Sequence, residues 1–363
     1  MFPTRSSIPF TDTPQTSHSF SISNVQSDYS NIIMKKTSIL AALFILLLTT
    51  ACHHNAKTSP ADAGGDTLVT NPLTLADPTI FHCEADGMYY LYGTSPHSNF
   101  GFQVYRSADL RHWEGPCGAL EGGYALTRNT SVGEGGFWAP QIIAVNGRYA
   151  MIYTSDERLG IAFADNPCGP FTQEVKQHMP ADMKQIDPFV FFDNDGKAYL
   201  YHVRLGGGNH IWVAELNDDL QSVREETAVH CLTSEPGWED TGFVDVPITE
   251  GPTVIRIGDT YLMFYSCNDF RSPDYAVGCA TAPSPLGPWT KPATPLIHRS
   301  VLGVNGTGHG DLFQDGTGKW RYVFHTHQSD SVVAPRRTAI VDVNFEGTTP
   351  SIDASTFRFL QRP

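Results

Sequence analysis

The amino-acid sequence predicts an all-β fold, namely a five-bladed β-propeller. Five times, a turn that contains glycine leads into a strand rich in aromatic residues, and no segment keeps a helical period. The glycines are separated by 60, 49, 62 and 60 residues, at Gly87, Gly147, Gly196, Gly258 and Gly318. Short strands in repeated hairpins are typical of a propeller or a sandwich. A fixed period that holds about four strands favours the propeller, because each blade needs neighbours to cover its two faces.

The N-terminal region predicts an export signal behind an over-extended start. Residues 1–33 are rich in Ser and Thr without hydrophobic periodicity, and we expect Met34 to be the true first residue. Two lysines, the apolar run 39–48 and small residues before Cys52 form a secretory signal over 34–52. The apolar run is too short to span a bilayer. The cysteine resembles that of a bacterial lipoprotein signal, so we expect an exported protein. It would be anchored to the outer membrane through a lipid on Cys52 or soluble in the periplasm.

The rest of the chain is predicted to be one domain behind a tether. Residues 53–70 are polar and indicate a flexible tether, and residues 71–363 contain the five repeats. The formal net charge is −14 and no basic run occurs, so nucleic acid is not an expected partner and a polyanionic substrate would be repelled. We expect a monomer. Six cysteines follow Cys52 without zinc-site spacing, and the sequence leaves disulfides and buried thiols equally open.

Each predicted blade begins with an apolar strand and a tight turn. Asn146-Gly147 and Asp195-Gly196 are dipeptides that favour two-residue hairpin turns, in which both central residues need positive φ. In a propeller the first strand of each blade lines the central channel, and one end of these strands faces the ligand. The predicted first strands begin at Thr79, Gln141, Phe189, Thr253 and Asp311.

The position before each first strand carries a side chain with useful chemistry. It is a carboxylate in three blades, Trp in one and His in one, namely Asp77, Asp187, Glu250, Trp138 and His309. Proline follows in four of the five blades. We expect the proline to stop the strand early and to aim the preceding side chain into the channel.

Three carboxylates that converge on a narrow channel predict acid–base chemistry. Like charges that are close together and partly desolvated raise the pKa of at least one group and keep another low. An acid and a base side by side at neutral pH is the arrangement that glycoside hydrolysis uses. The alternative is a structural or cation-binding cluster that closes the channel.

The same motifs match a known family in order and at blade spacing. The segments that resemble glycoside hydrolase family 43 are Ala76-Asp77-Pro78, Phe137-Trp138-Ala139-Pro140, Ile186-Asp187-Pro188, Glu250-Gly251-Pro252 and Gly308-His309-Gly310. The resemblance covers residues 71–363. It implies an inverting hydrolase of arabinose- or xylose-containing plant glycans, similar to α-L-arabinofuranosidases and β-xylosidases, or an endo-arabinanase on the same fold. It implies no required cofactor.

The resemblance also implies a role for each matching residue. Asp77 would be the general base that activates water, and Glu250 the general acid that protonates the departing oxygen. Asp187 would orient Glu250 and tune its pKa. Trp138 would stack on the sugar or shape the pocket, and Arg336 would reach the sugar.

Two of these assignments carry an alternative. His309 would sit under the site beside a bound water or a structural calcium ion, and no other metal is implied. Strand alternation lets only one of the neighbouring residues Arg336 and Arg337 point inward, so Arg337 is a rival for the sugar contact.

The remaining signals bear on the pocket and on rival functions. Gln141 stands where many relatives carry an acidic residue or His, and we expect the connections 93–102 and 233–249 to close the pocket. His325 and His327 share a strand face, which favours packing or pocket lining over a metal pair. A fructan-processing propeller would show Asn-Asp-Pro, Arg-Asp-Pro and Glu-Cys-Pro, which are absent from the motifs above. A glycan-binding propeller without catalysis would have lost one of the carboxylates, and all three are present.

Overall fold

The computed structural model describes residues 71–363. The predicted over-extended start, signal peptide and tether lie outside the described residues and stay predictions. Apart from one short helix, α1 (Arg299–Leu302), and 3₁₀ turns at Glu121–Gly123 and Glu225–Thr227, the regular structure of this part is β. None of its helices is long and apolar enough to cross a lipid bilayer.

The strands follow the predicted blades along the chain. The first eleven are β1 (Asn71–Pro72), β2 (Ala76–Cys83), β3 (Met88–Thr94), β4 (Gly101–Gln103), β5 (Tyr105–Ser107), β6 (Tyr124–Thr127), β7 (Trp138–Val145), β8 (Arg148–Ser155), β9 (Arg158–Ala164), β10 (Gln185–Phe192) and β11 (Ala198–Leu205). The remaining ten are β12 (Asn209–Glu215), β13 (Val229–Leu232), β14 (Thr249–Ile257), β15 (Thr260–Cys267), β16 (Ala276–Ala282), β17 (Gly308–Gln314), β18 (Trp320–Thr326), β19 (Arg337–Glu346), β20 (Thr349–Phe359) and β21 (Gln361–Arg362).

Five antiparallel sheets of three or four strands form the blades. In chain order they are β2-β3-β5, β7-β8-β9, β10-β11-β12-β13, β14-β15-β16 and β17-β18-β19-β20, called blades one to five. The first strands contact one another in a closed circle, because β2 touches β7, β7 touches β10, β10 touches β14, β14 touches β17 and β17 touches β2. The predicted all-β propeller is confirmed.

Side chains of each second strand fill the space between blades. Tyr92 of β3 packs with Met151 and Tyr153 of β8 between blades one and two, and Tyr201 of β11 packs with Tyr265 of β15 between blades three and four. All five side chains are fully buried. Burial of one such side chain stabilises the fold by roughly 1.5–3 kcal/mol, so the alternating aromatics explain why the blades adhere.

The ring closes by hydrogen bonds between the start and the end of the described chain. β1 pairs antiparallel with β21. The Leu73 amide donates to the Leu360 oxygen, and the Thr338 amide donates to the Leu73 oxygen, both at 3.0 Å. Thr338 Oγ1 also donates to the Leu75 oxygen at 2.8 Å. These bonds join the segment that leads into blade one to blade five.

The five predicted hairpins join the first and second strand of each blade, with one difference in turn length. Asn146 and Gly147 form a two-residue turn between β7 and β8, with φ of 52° and 73°. The turn at Asp195-Gly196 is longer than predicted. The Asp193 amide donates to the Lys197 oxygen at 2.9 Å, so three residues lie inside the loop, because Asp193 and Lys197 extend the ladder by one pair.

The motif residues lie inside the first strands, which corrects the prediction that they precede them. Each first strand has a register shift at its motif, as between Ala76 and Thr79 in β2 and between Glu250 and Thr253 in β14. One extra residue with positive φ fits into the strand, and pairing resumes after it. The proline therefore does not stop the strand, because it occupies a bulge position whose N–H the ladder does not need.

The six cysteines within residues 71–363 are free thiols in the structure. Cys117 and Cys168 lie nearest to each other, with their sulfur atoms 4.0 Å apart.

Gly310→Ala should destabilise the fifth blade, where glycine replaces the proline of the other four. A Cβ at Gly310 would meet the backbone oxygen of Val323 in β18. That oxygen cannot retreat without disturbing the β17–β18 ladder. We expect the free energy of unfolding to fall by about 1–3 kcal/mol and the melting temperature to fall with it, as measured by calorimetry. Gly206→Ala is the control, because nothing lies within 4 Å of its Cβ position. Equal melting temperatures for the two variants would contradict the steric explanation.

Candidate active site

The site is built from two adjacent positions on the five inner strands. The bulge position, which has positive φ, holds Asp77, Ala139, Asp187, Gly251 and His309, with φ from 40° to 59°. The position before it holds Ala76, Trp138, Ile186, Glu250 and Gly308. The prediction that all five motif residues share one position is therefore wrong. Trp138 and Glu250 stand one residue earlier than the two aspartates and His309, so Glu250 approaches the channel from a different angle.

The bulge amides need acceptors, and neighbouring blades supply them. In four cases a side chain of the preceding blade's second strand accepts, at 2.8 to 3.1 Å. The pairs are Asp77 with His325, Ala139 with Thr94, Asp187 with Thr154 and His309 with Ser266. In the fifth case the corresponding residue of β11 is Val203, which pairs with Ile186 and whose side chain has no hydrogen-bond acceptor. The Gly251 amide donates instead to Asp187 Oδ2 at 3.2 Å.

Asp77 is the best stabilised carboxylate of the site. Thr94 Oγ1 donates to Asp77 Oδ2 at 2.6 Å, and Arg336 Nη1 donates to Oδ1 at 3.1 Å. The Nδ1 atoms of His309 and His325 lie 3.4 and 3.3 Å from the same Oδ1. Burial alone would raise the pKa of Asp77, but the Arg336 guanidinium chiefly outweighs it and holds the pKa well below its ordinary value. Burial also lowers the pKa of both imidazoles, so Arg336 is the permanent cation.

Asp187 has the opposite electrostatic environment. Its Oδ2 accepts the Gly251 amide and lies 3.8 Å from His309 Nδ1. Burial raises the pKa of Asp187 well above its ordinary value, and the nearby carboxylates of Glu250 and Asp77 raise it further. Asp187 therefore holds a proton more tightly than Asp77 does.

Glu250 is held at both oxygens. Tyr275 Oη donates to Glu250 Oε1 at 2.7 Å, and Asn209 Nδ2 donates to Oε2 at 2.8 Å. Burial raises the pKa of Glu250 to about 7, and the two hydrogen bonds partly oppose that rise. A carboxyl group with this pKa can both give and take a proton near neutral pH.

The inner strands also line a small open pocket. Its volume is about 30 Å³, and Asp77, Asp187 and His309 line it together with Thr79 and Asp311. Thr79 Oγ1 donates to Asp311 Oδ2 at 2.5 Å. Burial raises the pKa of Asp311 to about 6.

Of the two neighbouring arginines, Arg336 lies at the site and Arg337 does not. Arg337 stacks on the Phe359 ring at 3.3 Å, in the last blade. Arg336 contacts Asp77 and lies 4.6 Å from the centre of the Phe270 ring. Trp138 is partly exposed at the start of β7.

Gln141, the pair His325 and His327, and the connection 233–249 have other contacts than a pocket wall or a metal would need. The Gln141 side chain bridges blades two and three by accepting from the Val190 amide at 2.6 Å and donating to its oxygen at 3.1 Å. His327 Nε2 lies 2.9 Å from the Phe270 oxygen, whereas His325 contacts Asp77, so these two histidines do not face one metal position. Of the predicted pocket loops, connection 233–249 places Trp238 against Tyr265 in the interblade core.

Thr94, Asn209 and Tyr275 also hold site carboxylates and were not predicted from the sequence. None of them stands in a motif named above. Thr94 contacts Asp77 from the neighbouring strand of the same blade, Asn209 contacts Glu250 from another blade, and Tyr275 contacts Glu250 from a loop. The weak signal for Asn209 is its place directly after three glycines, and Tyr275 gave no signal.

The described residues give no support for a metal centre. Within residues 71–363, no three His, Cys, Asp or Glu side chains are grouped so that they could hold a metal ion. The calcium ion suggested beside His309 stays a prediction, and no chemical step below depends on it.

Fold and site together define a propeller with an acid–base centre at its channel, in which an ionised carboxylate faces two of higher proton affinity. The family model of the glycosyl hydrolases family 43 matches residues 69–350, and the chain belongs to that family.

Individual relatives agree with this assignment. A xylosidase/arabinosidase of Butyrivibrio fibrisolvens is 29% identical over 278 residues, which cover 70% of this chain and 50% of that protein. The chain spans about half the length of curated relatives such as this one. The crystal structure of an endo-1,4-β-xylanase of Bacteroides thetaiotaomicron is 36% identical, with a TM-score of 0.74, and the match covers 82% of this chain and all of that one. A thermostable family-43 glycoside hydrolase is 32% identical, with a TM-score of 0.68, over 79% and 94% of the two chains.

The two aspartates should titrate apart. In a protein labelled with ¹³C at the Asp carboxyl carbons, the Asp77 signal should remain that of a carboxylate down to about pH 4, because Arg336 stabilises its charge. The Asp187 signal should still be that of the acid well above this pH. Asp77→Asn and Asp187→Asn assign the two signals. A common midpoint near the ordinary value of 3.8 would contradict the described electrostatics.

Proposed function

We propose that the chain is an inverting glycoside hydrolase that acts on arabinose- or xylose-containing plant polysaccharides or oligosaccharides. One observation carries the proposal, namely that an ionised Asp77 shares a buried site with Glu250, whose pKa is raised to about 7. Glycoside hydrolysis by inversion needs one carboxylate that takes a proton from water and one carboxyl group that gives a proton to the departing oxygen.

Asp77 is the general base. Arg336 and Thr94 occupy its two oxygens and keep it ionised, so it can accept a proton as water attacks the anomeric carbon. The C–O bond to water forms on one face of the sugar while the glycosidic C–O bond breaks on the other, which inverts the configuration.

Glu250 is the general acid. It gives its proton to the departing oxygen and becomes a carboxylate, which Tyr275 and Asn209 stabilise. Asp187 is the proposed group that tunes Glu250, and the two carboxyl groups interact, because the charge of Glu250 raises the pKa of Asp187. After product release, Glu250 regains a proton and Asp77 loses one, so the site returns to its starting state.

The substrate class rests on charge and on relatives. The chain is strongly acidic, which disfavours polyanionic glycans and leaves neutral pentose polymers. The Butyrivibrio relative is named for both xylose and arabinose chemistry, so we carry both sugars over to this chain. Trp138 would stack on the sugar ring, and Arg336 would donate to its hydroxyls.

Endo action is the second candidate. The match to the structure of the Bacteroides endo-1,4-β-xylanase covers all of that protein and 82% of this one. It favours cleavage within a polysaccharide as an alternative to release of sugars from its end. Export and the lipid on Cys52 rest on the sequence patterns given above, and a monomeric state completes the proposal.

Removing either proposed catalytic carboxylate should abolish hydrolysis. Residues 71–363 and the variants Asp77→Ala and Glu250→Gln would be incubated with arabinan, arabinoxylan and xylo-oligosaccharides, with products followed by proton NMR. We expect the parent to release a pentose or short oligosaccharide, first seen as the inverted anomer. We expect both variants to lose at least about 10²-fold in rate, in line with the loss of an acid or base group.

The product spectrum also distinguishes the alternatives. Monosaccharide as the first product means exo action, and a ladder of oligosaccharides means endo action. A first product that retains its configuration would refute the inverting mechanism. A protein that binds one polymer and releases no sugar would be a binding module.

Arg336 and Arg337 provide a matched pair for the base. Arg336→Ala removes the permanent cation beside Asp77, so the pKa of Asp77 rises and the base is protonated at higher pH. The acidic limb of kcat/KM should therefore move up by about one pH unit or more. Arg337→Ala should leave this limb in place, because its guanidinium stacks on Phe359. Equal shifts in the two variants would argue against Arg336 as the group that keeps Asp77 ionised.

A further inference from the structure

Two side chains, Asn209 and Tyr275, hold Glu250. Both of its oxygens accept a hydrogen bond from a neutral donor, and the donors come from different blades. Asn209 begins β12 in blade three, and Tyr275 precedes β16 in blade four. Neither belongs to a motif that the family resemblance covers.

Each donor is fixed by its own packing. Tyr275 is fully buried and stacks on His325, with ring centres 5.6 Å apart and 17° between planes. Gly308 lies so close to the Tyr275 ring that a Cβ there would overlap it. The backbone amide of Asn209 donates to the Pro247 oxygen at 2.9 Å, and this bond fixes the start of β12 to the segment that leads into β14.

Fixed donors act differently on the two protonation states of Glu250. A hydroxyl and an amide N–H both bind a carboxylate more strongly than a neutral carboxyl group. Burial opposes them, because it disfavours the charge. Burial also keeps the Tyr275 hydroxyl protonated, since it raises the pKa of Tyr275 well above its ordinary value.

We propose that Asn209 and Tyr275 are positioning residues that together set the proton affinity of Glu250 and aim its carboxyl group at the departing oxygen. The inference rests on the proposed function. Without the pair, Glu250 would hold its proton more tightly and would be free to rotate. The pair therefore lets one buried group give up its proton during the reaction and regain it near neutral pH.

The two substitutions leave the other titratable groups that face Glu250 in the protein. They are Asp77, Asp187, Asp269 and Cys267. A shift produced by Tyr275→Phe or Asn209→Ala therefore reports on the lost hydrogen bond.

The test is the pH profile of kcat/KM for Tyr275→Phe and Asn209→Ala. The substrates are the 4-nitrophenyl pentoside and the pentose disaccharide that the parent hydrolyses. The basic limb reports Glu250 losing its proton, and removing a donor to the charged form raises the pKa. We expect this limb to move up by about one pH unit in each variant. We also expect a larger loss of rate on the disaccharide than on the nitrophenyl substrate, because the poorer leaving group needs the aimed proton more.

Tyr265→Phe is the matched control. Tyr265 is fully buried in the same blade and donates to Glu239 Oε1 at 2.6 Å. The Tyr265→Phe variant therefore loses an equivalent hydrogen bond that does not involve Glu250. Its basic limb should stay in place. Asn209 is only partly buried, so Asn209→Ala keeps the test valid if Tyr275→Phe fails to fold.

The outcomes separate this inference from the proposed function. If Glu250→Gln abolishes disaccharide hydrolysis but both variants keep the parent's basic limb, the pair does not set the proton affinity and the inference falls. Equal losses on the two substrates at every pH would mean a purely structural role and would also overturn it. If Glu250→Gln hydrolyses the disaccharide as the parent does, the proposed function itself fails.

Discussion

The structure depends on one constraint, namely that every inner strand bulges at the channel and each bulge amide must find an acceptor in a buried place. An unpaired buried N–H is costly, so the acceptor cannot be left to chance. Neighbouring blades supply it through Thr94, Thr154, Ser266 and His325, and these bonds tie the blades together where the site is built. The same four contacts therefore join neighbouring blades and assemble the site.

The same constraint sorts the carboxylates. The Thr94 hydroxyl accepts a hydrogen bond from the Ala139 amide of the next blade and donates one to Asp77. The interblade contact therefore orients the hydroxyl that stabilises Asp77. At the bulge of Gly251, the Val203 side chain cannot accept a hydrogen bond, and the Gly251 amide donates to Asp187 instead. Arg336 then decides the order of proton affinity, because it lies on Asp77 and gives that group the only permanent positive charge in hydrogen-bond contact among the three described carboxylates. Three chemically similar groups thus acquire different roles from their neighbours.

Sequence predicted the parts of this arrangement that repeat, and it failed where a contact crosses between unlike elements. Gly87 and its four counterparts revealed the blades because every blade needs the same hairpin. The Asp-Pro pairs revealed the inner strands for the same reason. The spacing to proline already separates Glu250 from Asp77, because Gly251 stands between Glu250 and Pro252 whereas Pro78 follows Asp77 directly. The strand register shows what this spacing means, namely that Glu250 stands one residue before the bulge position of Asp77. The roles of Asn209 and Tyr275 could not be predicted, because their partner Glu250 lies 41 and 25 residues away in the chain and no repeated pattern connects them.

The bulge also explains why this scaffold tolerates strain at its site. Asp77, Asp187 and His309 have positive φ, a conformation that costs non-glycine residues on the order of 1 kcal/mol or more. Gly251 avoids that cost in the fourth blade, and a Cβ there would lie 2.7 Å from the His309 ring. The polar residues accept the cost because the left-handed turn directs their side chains into the channel, where an ordinary strand residue would point between the blades. The interblade aromatics offset the strain, so the rigid ring of blades makes an otherwise unfavourable set of backbone angles the stable state.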